Sequence, residues 1–159
     1  MEYWDMEESF LKNLDILLLD MDEGALQSAH SHIRANGNIH YLQANLLKFI
    51  LCNQKNDTLG KRDLIYLLGL LDYFSVKHSA KIVSRLWENV NPGGKMILTN
   101  AHASNSTRLW MEYVSEWYLI YKTKDEMFQI IDGLENLERT EYLMDEFLVY
   151  QYLIIEKQK

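Results

Sequence analysis

Apolar positions along this chain fall into short continuous runs, separated by stretches with helical periodicity. Leu64-Ile65-Tyr66-Leu67-Leu68 is long enough for a strand and short for a helix. Gly69 then lets the backbone leave the sheet with no side chain in the way. Ala80, Ile82, Val83, Leu86, Trp87 and Val90 recur at roughly helical spacing, with Lys81, Ser84, Arg85 and Glu88 between them. Asn91-Pro92-Gly93-Gly94 predicts the end of that helix and a sharp reversal. Lys95 to Thr99 is the next strand. Strand, crossover helix and buried strand make a βαβ unit, so the sheet is predicted to be parallel. Ligands on such sheets bind beyond the carboxyl ends of the strands. That points to Gly69–Phe74 and Asn100–Asn105 as the functional rim.

The same pattern organises the rest. Met1 to Asn13 reads as a short amphipathic helix. Leu14 to Asp20 is a strand whose run Ile16-Leu17-Leu18-Leu19 implies burial on both faces. Asp22 is a good N-cap for a helix from Glu23 to about Ala35, with Asn36-Gly37 as its stop. Ile39 to Gln43 is a third strand, Leu46 to Cys52 a helix, and Asn53 to Arg62 a polar loop. After Asn100 the pattern predicts a polar loop, then a long aromatic helix from Thr107 to about Lys122. Thr123 caps a further helix, with Glu126 placed for a capping box and Gly133 as its end. Arg139–Met144 and Phe147–Glu156 read as a closing antiparallel hairpin around Asp145-Glu146.

Length and charge narrow the picture. The 159 residues suit one domain with a single core, and 48% hydrophobic residues can fill it. No repeat or second-domain boundary is visible. A formal net charge of -7 argues against nucleic acid or an anionic membrane as the partner. Cys52 is the only cysteine, which fits a reducing, cytoplasmic setting. Met1-Glu2-Tyr3-Trp4-Asp5 is acidic where a signal peptide would be basic. No apolar run approaches the ~20 residues needed to span a bilayer.

Several residues could carry chemistry. Asp20, at the carboxyl end of a buried strand, could accept hydrogen bonds from both ribose hydroxyls of a nucleotide; equally, Asp20 and Asp22 could merely cap the next helix. Asn45, ending the third strand, offers a donor and an acceptor to an adenine edge, or simply makes a turn. Tyr66, Gly69, Asp72 and Tyr73 surround the exit of the Leu64–Leu68 strand, where a ligand could approach the backbone or the tyrosine could pack. Asn100, His102, Ser104 and Asn105 precede Trp110, Glu112, Tyr113 and Trp117, a polar cluster backed by an aromatic helix that suits a small-molecule or acyl pocket; an aromatic stripe at that spacing is more often core. His30 and His32 face different ways on a helix and imply no metal site. Ser104 and Ser106 lack a nucleophile elbow, and Cys52 has no base beside it.

LDILLLDMDEGALQSAHSHI, IHYLQANL, DLIYLLGLLDYF and NVNPGGKMILTN follow, in order, the motifs of class I S-adenosylmethionine-dependent methyltransferases. The chain resembles that family over nearly its whole length. The segment NAHASNSTRLWMEYVSEWYLIYKTKDEM is similar to methyltransferases that make the methyl ester of 3-hydroxypalmitate. The resemblance implies a Rossmann-like α/β fold, with a mostly parallel sheet, helices on both faces and a C-terminal antiparallel hairpin. It implies S-adenosylmethionine as cofactor, with Asp20 as the ribose-binding acid beside Met21. Asn45 and Leu46 fall on the adenine side, and Leu68, Gly69 and Leu70 form the donor-site backbone. His102, Glu112 and Tyr113 would position the acceptor.

One departure stands out. The family begins with a strand and a glycine-rich loop around the methionine part of the cofactor, and no GxGxG-like stretch precedes Leu14. The expectation is an N-terminally truncated domain over 1–159. Its two exposed strand edges would be covered by pairing or by another copy of the chain. The activity expected is O-methylation of a small or fatty-acyl carboxylate. Such an acceptor is already ionised and needs no strong base, so the protein mainly aligns donor and acceptor. The rival is a non-catalytic interaction module, or an inactive fragment of a methyltransferase; the missing loop favours it. A nicotinamide-dependent dehydrogenase would need a glycine fingerprint that is absent.

Overall fold

A computed structural model describes residues 13–33, 38–46, 48 and 59–159. The chain divides into two compact units, residues 1–55 and 56–159. In the first, β1 (Asp15–Asp20), α1 (Glu23–His32) and β2 (Asn38–Gln43) form a βαβ unit. The strands pair in parallel, from Asp15 opposite Asn38 to Asp20 opposite Gln43. Asp22 caps α1 as predicted, its Oδ1 accepting from the Gly24 N–H at 2.8 Å and the Ala25 N–H at 3.4 Å. Leu26 is the buried residue of α1. The His30 ring meets Tyr41 of β2 edge-on at 5.2 Å, a packing role for that histidine. The expected helices over Met1–Asn13 and Leu46–Cys52, the Asn36-Gly37 stop and the Asn53–Arg62 loop lie wholly or mostly outside the described residues.

The second unit holds a four-stranded sheet in the order β3-β4-β6-β5. β3 (Arg62–Leu67) runs parallel to β4 (Val90–Ala101), with α2 (Val76–Trp87) between them in sequence. The Ser75 hydroxyl caps α2 by accepting from the His78 N–H. Ile82, Val83, Leu86 and Trp87 form its buried stripe, and α2 lies against α4 (Lys124–Ile131). Thr123 and Glu126 complete the expected capping box on α4. β6 (Tyr150–Lys157) is antiparallel to both β4 and β5 (Leu137–Met144). The chain is therefore α/β, with two parallel strand pairs and a closing antiparallel hairpin, as the sequence predicts.

Two expectations change. Asn91–Gly94 does not separate helix from strand; β4 already begins at Val90, opposite Arg62, and the pairing resumes with Lys95 opposite Leu64. The four residues therefore bulge against a single partner, Asp63, whose carboxylate accepts from the Asn91 side chain at 2.7 Å. The long helix from Thr107 to Lys122 is only α3 (Arg108–Tyr113). Glu116 takes a left-handed φ of 51°, which ends helical propagation. The chain then runs extended, so that Leu119 and Lys122 are buried while Trp110, Tyr113 and Tyr118 are more than 60% exposed. The helical spacing of these aromatics does not mark a core stripe.

Gly94 is a point of close approach. A Cβ there would lie 2.9 Å from the carbonyl oxygens of Asn91 and Asp63 and 3.0 Å from Val90 Cγ1. Two of these neighbours are main chain and cannot swing aside. Gly94→Ala is expected to cost about 1–3 kcal/mol, seen as a lower urea midpoint at unchanged slope.

Candidate functional site

The buried face of β4 and β6 is apolar for most of its length. Met96 opposes Ile155 and Leu98 opposes Leu153, and all four are fully enclosed. The next pair on that face is Asn100 opposite Gln151, both fully buried. The core therefore turns polar at the carboxyl end of β4, beside the carboxyl end of β3. Buried polar groups in such a place require partners, and here they find one another.

Asn100 is the hub. Its Nδ2 donates to Asp72 Oδ1 at 2.5 Å and to the Ile120 carbonyl at 3.0 Å. Its Oδ1 accepts from the Lys122 N–H at 2.7 Å and from Gln151 Nε2 at 3.4 Å. Gln151 Nε2 also donates to the Lys122 carbonyl at 2.6 Å, and Gln151 Oε1 accepts from the Tyr142 hydroxyl at 3.0 Å. Asp72 lies in the 3-10 turn Leu70–Tyr73 that follows β3. Its Oδ1 takes a second bond from the Ala101 N–H at 2.9 Å, and its carbonyl takes one from the Ile120 N–H at 2.7 Å. Lys122 Nζ donates to the Leu71 carbonyl at 2.6 Å.

Gly69 opens the turn at φ 69°, a left-handed conformation that favours glycine. Its N–H donates to Thr99 Oγ1 at 2.9 Å, and that hydroxyl donates to the Leu67 carbonyl. A Cβ built on Gly69 would meet one atom within 4 Å, Asp72 Oδ2 at 3.8 Å. Among the described residues the space beside this backbone is otherwise open. Trp117 Nε1 donates to the Tyr73 hydroxyl at 3.0 Å, tying the segment after α3 to the same turn.

Of the residues singled out from sequence, Leu68, Gly69 and Leu70 lie at this rim, with Leu68 exposed. His102 follows β4; its Nδ1 meets the Ser104 hydroxyl and accepts from the Ser104 N–H at 3.2 Å, so that ring nitrogen is engaged locally. Glu112 accepts from Arg108 Nε at 2.8 Å, and the Arg108 guanidinium lies 4.3 Å over the Tyr121 ring. Tyr113 points largely to solvent. In the first unit Asp20 and Asn45 leave the same edge of the β1–β2 pair, since the Ala44 N–H donates to the Asp20 carbonyl at 2.9 Å. Asp20 Oδ1 accepts from the Asp22 N–H at 2.9 Å, and Asn45 Oδ1 from the Lys48 N–H at 3.2 Å. Asn45 therefore makes the local bond weighed for it, whereas Asp20 bonds the N-cap residue Asp22 and leaves the cap of the helix to it; each retains a polar atom with no partner among the described residues. Met21 is exposed and Leu46 half-buried.

Sequence reasoning missed Lys122 and Gln151. Gln151 had a signal: it shares strand parity with Leu153 and Ile155, which marks it as inward-facing. Lys122 had none, because its burial depends on the helix stopping at Tyr113.

Burial sets the electrostatics. It pushes the Asp72 carboxyl above its ordinary range, against the Ala101 and Asn100 hydrogen bonds and the Lys122 charge. It pushes the Lys122 ammonium down, against the charges of Asp72 and Glu126.

No protein-family model and no curated protein matches the sequence. Solved structures do match. Magnesium protoporphyrin IX methyltransferase from Synechocystis PCC 6803, solved with S-adenosylhomocysteine, superposes with a TM-score of 0.61 at 15% identity, over 89% of this chain and 63% of that one. Human N-acetylserotonin methyltransferase, solved with S-adenosylmethionine, gives 0.65 at 14% identity, over 95% and 43%. The N-methyltransferase NodS from Bradyrhizobium japonicum, with S-adenosyl-l-homocysteine, gives 0.61 at 13% identity, over 90% and 66%. The chain shares its fold with these proteins. It spans 43% to 66% of their length. In the second unit the polar rim occupies the carboxyl ends of the parallel strands, where open α/β sheets take their ligands.

The raised Asp72 carboxyl has a sign that can be checked. Its protonated form is favoured by folding, so its contribution is greatest in acid and is lost as pH rises through the raised value. Asp72→Asn keeps an oxygen for both Oδ1 bonds and removes the ionisation. Relative to the parent, the variant should therefore be more favourable at pH 7 than at pH 4 in paired urea melts.

Proposed function

We propose that the chain is an S-adenosylmethionine-dependent methyltransferase domain acting on the oxygen of a small or fatty-acyl carboxylate. The observation that carries this reading is the rim after β3. There, among the described residues, a left-handed glycine has open space beside its backbone, and one oxygen of a buried carboxylate faces it without a partner. These features fit a ligand that lies against the main chain and brings donors of its own. The family resemblance and the shared fold support the choice of ligand.

In this reading Asp20 accepts from the ribose hydroxyls, flanked by Met21. Asn45, with Leu46, meets the adenine edge, and the backbone of Leu68, Gly69 and Leu70 lines the donor site. When bound, the cofactor supplies a methyl group already activated on sulfonium. The chain's own residues then bind, orient and exclude water. Glu112, oriented by Arg108, and Tyr113 flank the acceptor, with His102 at the adjoining loop. None of them has to remove a proton, because a carboxylate is ionised at neutral pH. Alignment alone is worth several kcal/mol in such a transfer. A cytoplasmic setting and self-association through a strand edge belong to the same reading. It is supported by the single cysteine and by β3, an edge strand among the described residues.

Calorimetric titration of S-adenosylhomocysteine into the full chain should give a dissociation constant below about 100 µM. At ten times that constant, stability should rise by roughly 1.4 kcal/mol. A flat titration with no melting shift would instead support the non-catalytic module. Asp20→Ala should weaken binding by about tenfold without lowering the melting temperature of the unliganded chain by more than the loss of one exposed hydrogen bond.

A further inference from the structure

Asp72 is 2% exposed and carries a carboxylate into the core of its unit. Oδ1 is satisfied twice, by the Asn100 side chain and the Ala101 N–H. Oδ2 accepts from none of the described residues, yet it is not among their sealed, unpartnered atoms and so keeps access to the outside. It faces the open space at Gly69. Among the described residues no cation pairs with it. Lys122, whose charge is felt at Asp72, spends its ammonium on the Leu71 and Ile120 carbonyls.

Tyr121 and Tyr150 also feel the Asp72 charge, and burial raises the pKa of both hydroxyls. They stay neutral and supply no counter-charge. A carboxylate withdrawn from water without a counter-ion is costly, and the cost falls when a ligand brings one.

We infer that Asp72 Oδ2 receives the ammonium group at the amino-acid end of S-adenosylmethionine. The assignment rests on the cofactor reading above. An ammonium offers both a donor and the missing positive charge. The sulfonium has no hydrogen to donate, and a ribose hydroxyl brings no charge. Gly69 matters because any side chain there would project towards the oxygen that must be reached.

Two ligands separate this contact from the rest of the cofactor. S-adenosylhomocysteine carries the ammonium; 5′-methylthioadenosine keeps the adenosine and the thioether but lacks the amino-acid end. Both are titrated by calorimetry into the full chain and into Asp72→Asn. The amide places an uncharged NH2 donor where Oδ2 was, while its oxygen keeps the two Oδ1 bonds. The variant should bind S-adenosylhomocysteine about tenfold more weakly and 5′-methylthioadenosine within about twofold of the parent. An equal loss for both ligands, or no loss for either, overturns the Asp72 assignment and leaves the cofactor reading standing. A parent chain that binds neither ligand overturns both.

Should Asp72→Asn fail to fold, the parent alone decides. Its preference for S-adenosylhomocysteine over 5′-methylthioadenosine should shrink as pH falls and Asp72 protonates. Of the other groups around Asp72, the hydroxyls of Tyr121 and Tyr150 are pushed up by burial and the Lys122 ammonium is pushed down, and all three keep their protons in acid. A preference that does not change with pH overturns the assignment.

Discussion

The side-chain amide of Asn100 holds the functional end of the second unit together. It bonds the turn after β3 through Asp72, the segment after α3 through Ile120 and Lys122, and β6 through Gln151. An amide suits this place because it offers two donors and an acceptor with two lone pairs. An apolar residue of the same size would leave the Lys122 N–H buried without a partner and the Ile120 carbonyl with only the long bond from the Lys122 ammonium. That costs more than the net gain of making such bonds. The rim is therefore bonded directly to the sheet it grows from.

That mutual bonding explains why polar residues are tolerated in the core of this unit. β4 and β6 pair apolar residues along their shared buried face until Asn100 and Gln151. At that register the sheet stops serving as packing and starts serving as a scaffold for the segments that cross its end. Asp72 and Lys122 are both disfavoured as ions by burial. A fold that retains two such groups, where hydrophobic residues would pack more simply, is spending stability on an arrangement of atoms.

The strands and their order were legible because their signals are local. Continuous apolar runs marked β1 and β3, Asp22 and Thr123 marked helix starts, and the turn at Asp145-Glu146 between two strand-like segments marked β5 and β6. The long aromatic helix was misread for a physical reason. Trp110, Tyr113, Trp117 and Tyr121 have helical spacing, but Glu116 turns left-handed and the Asn100 amide captures Ile120 and Lys122 in extended form. A distant residue thus overrode local propensity. The buried network was hidden for the same reason. Asp72 and Asn100 stood out at strand exits, but their convergence on Lys122 depends on a chain path that no short-range pattern encodes.

The enclosure of Lys122 has a further consequence. Its ammonium is tied to the Leu71 carbonyl and only 2% of the residue is exposed. Amine-directed labels reach such a group only when the segment carrying it lifts away from the sheet. The rate at which this one lysine is labelled would therefore report how often the rim breathes, separately from unfolding of the whole chain.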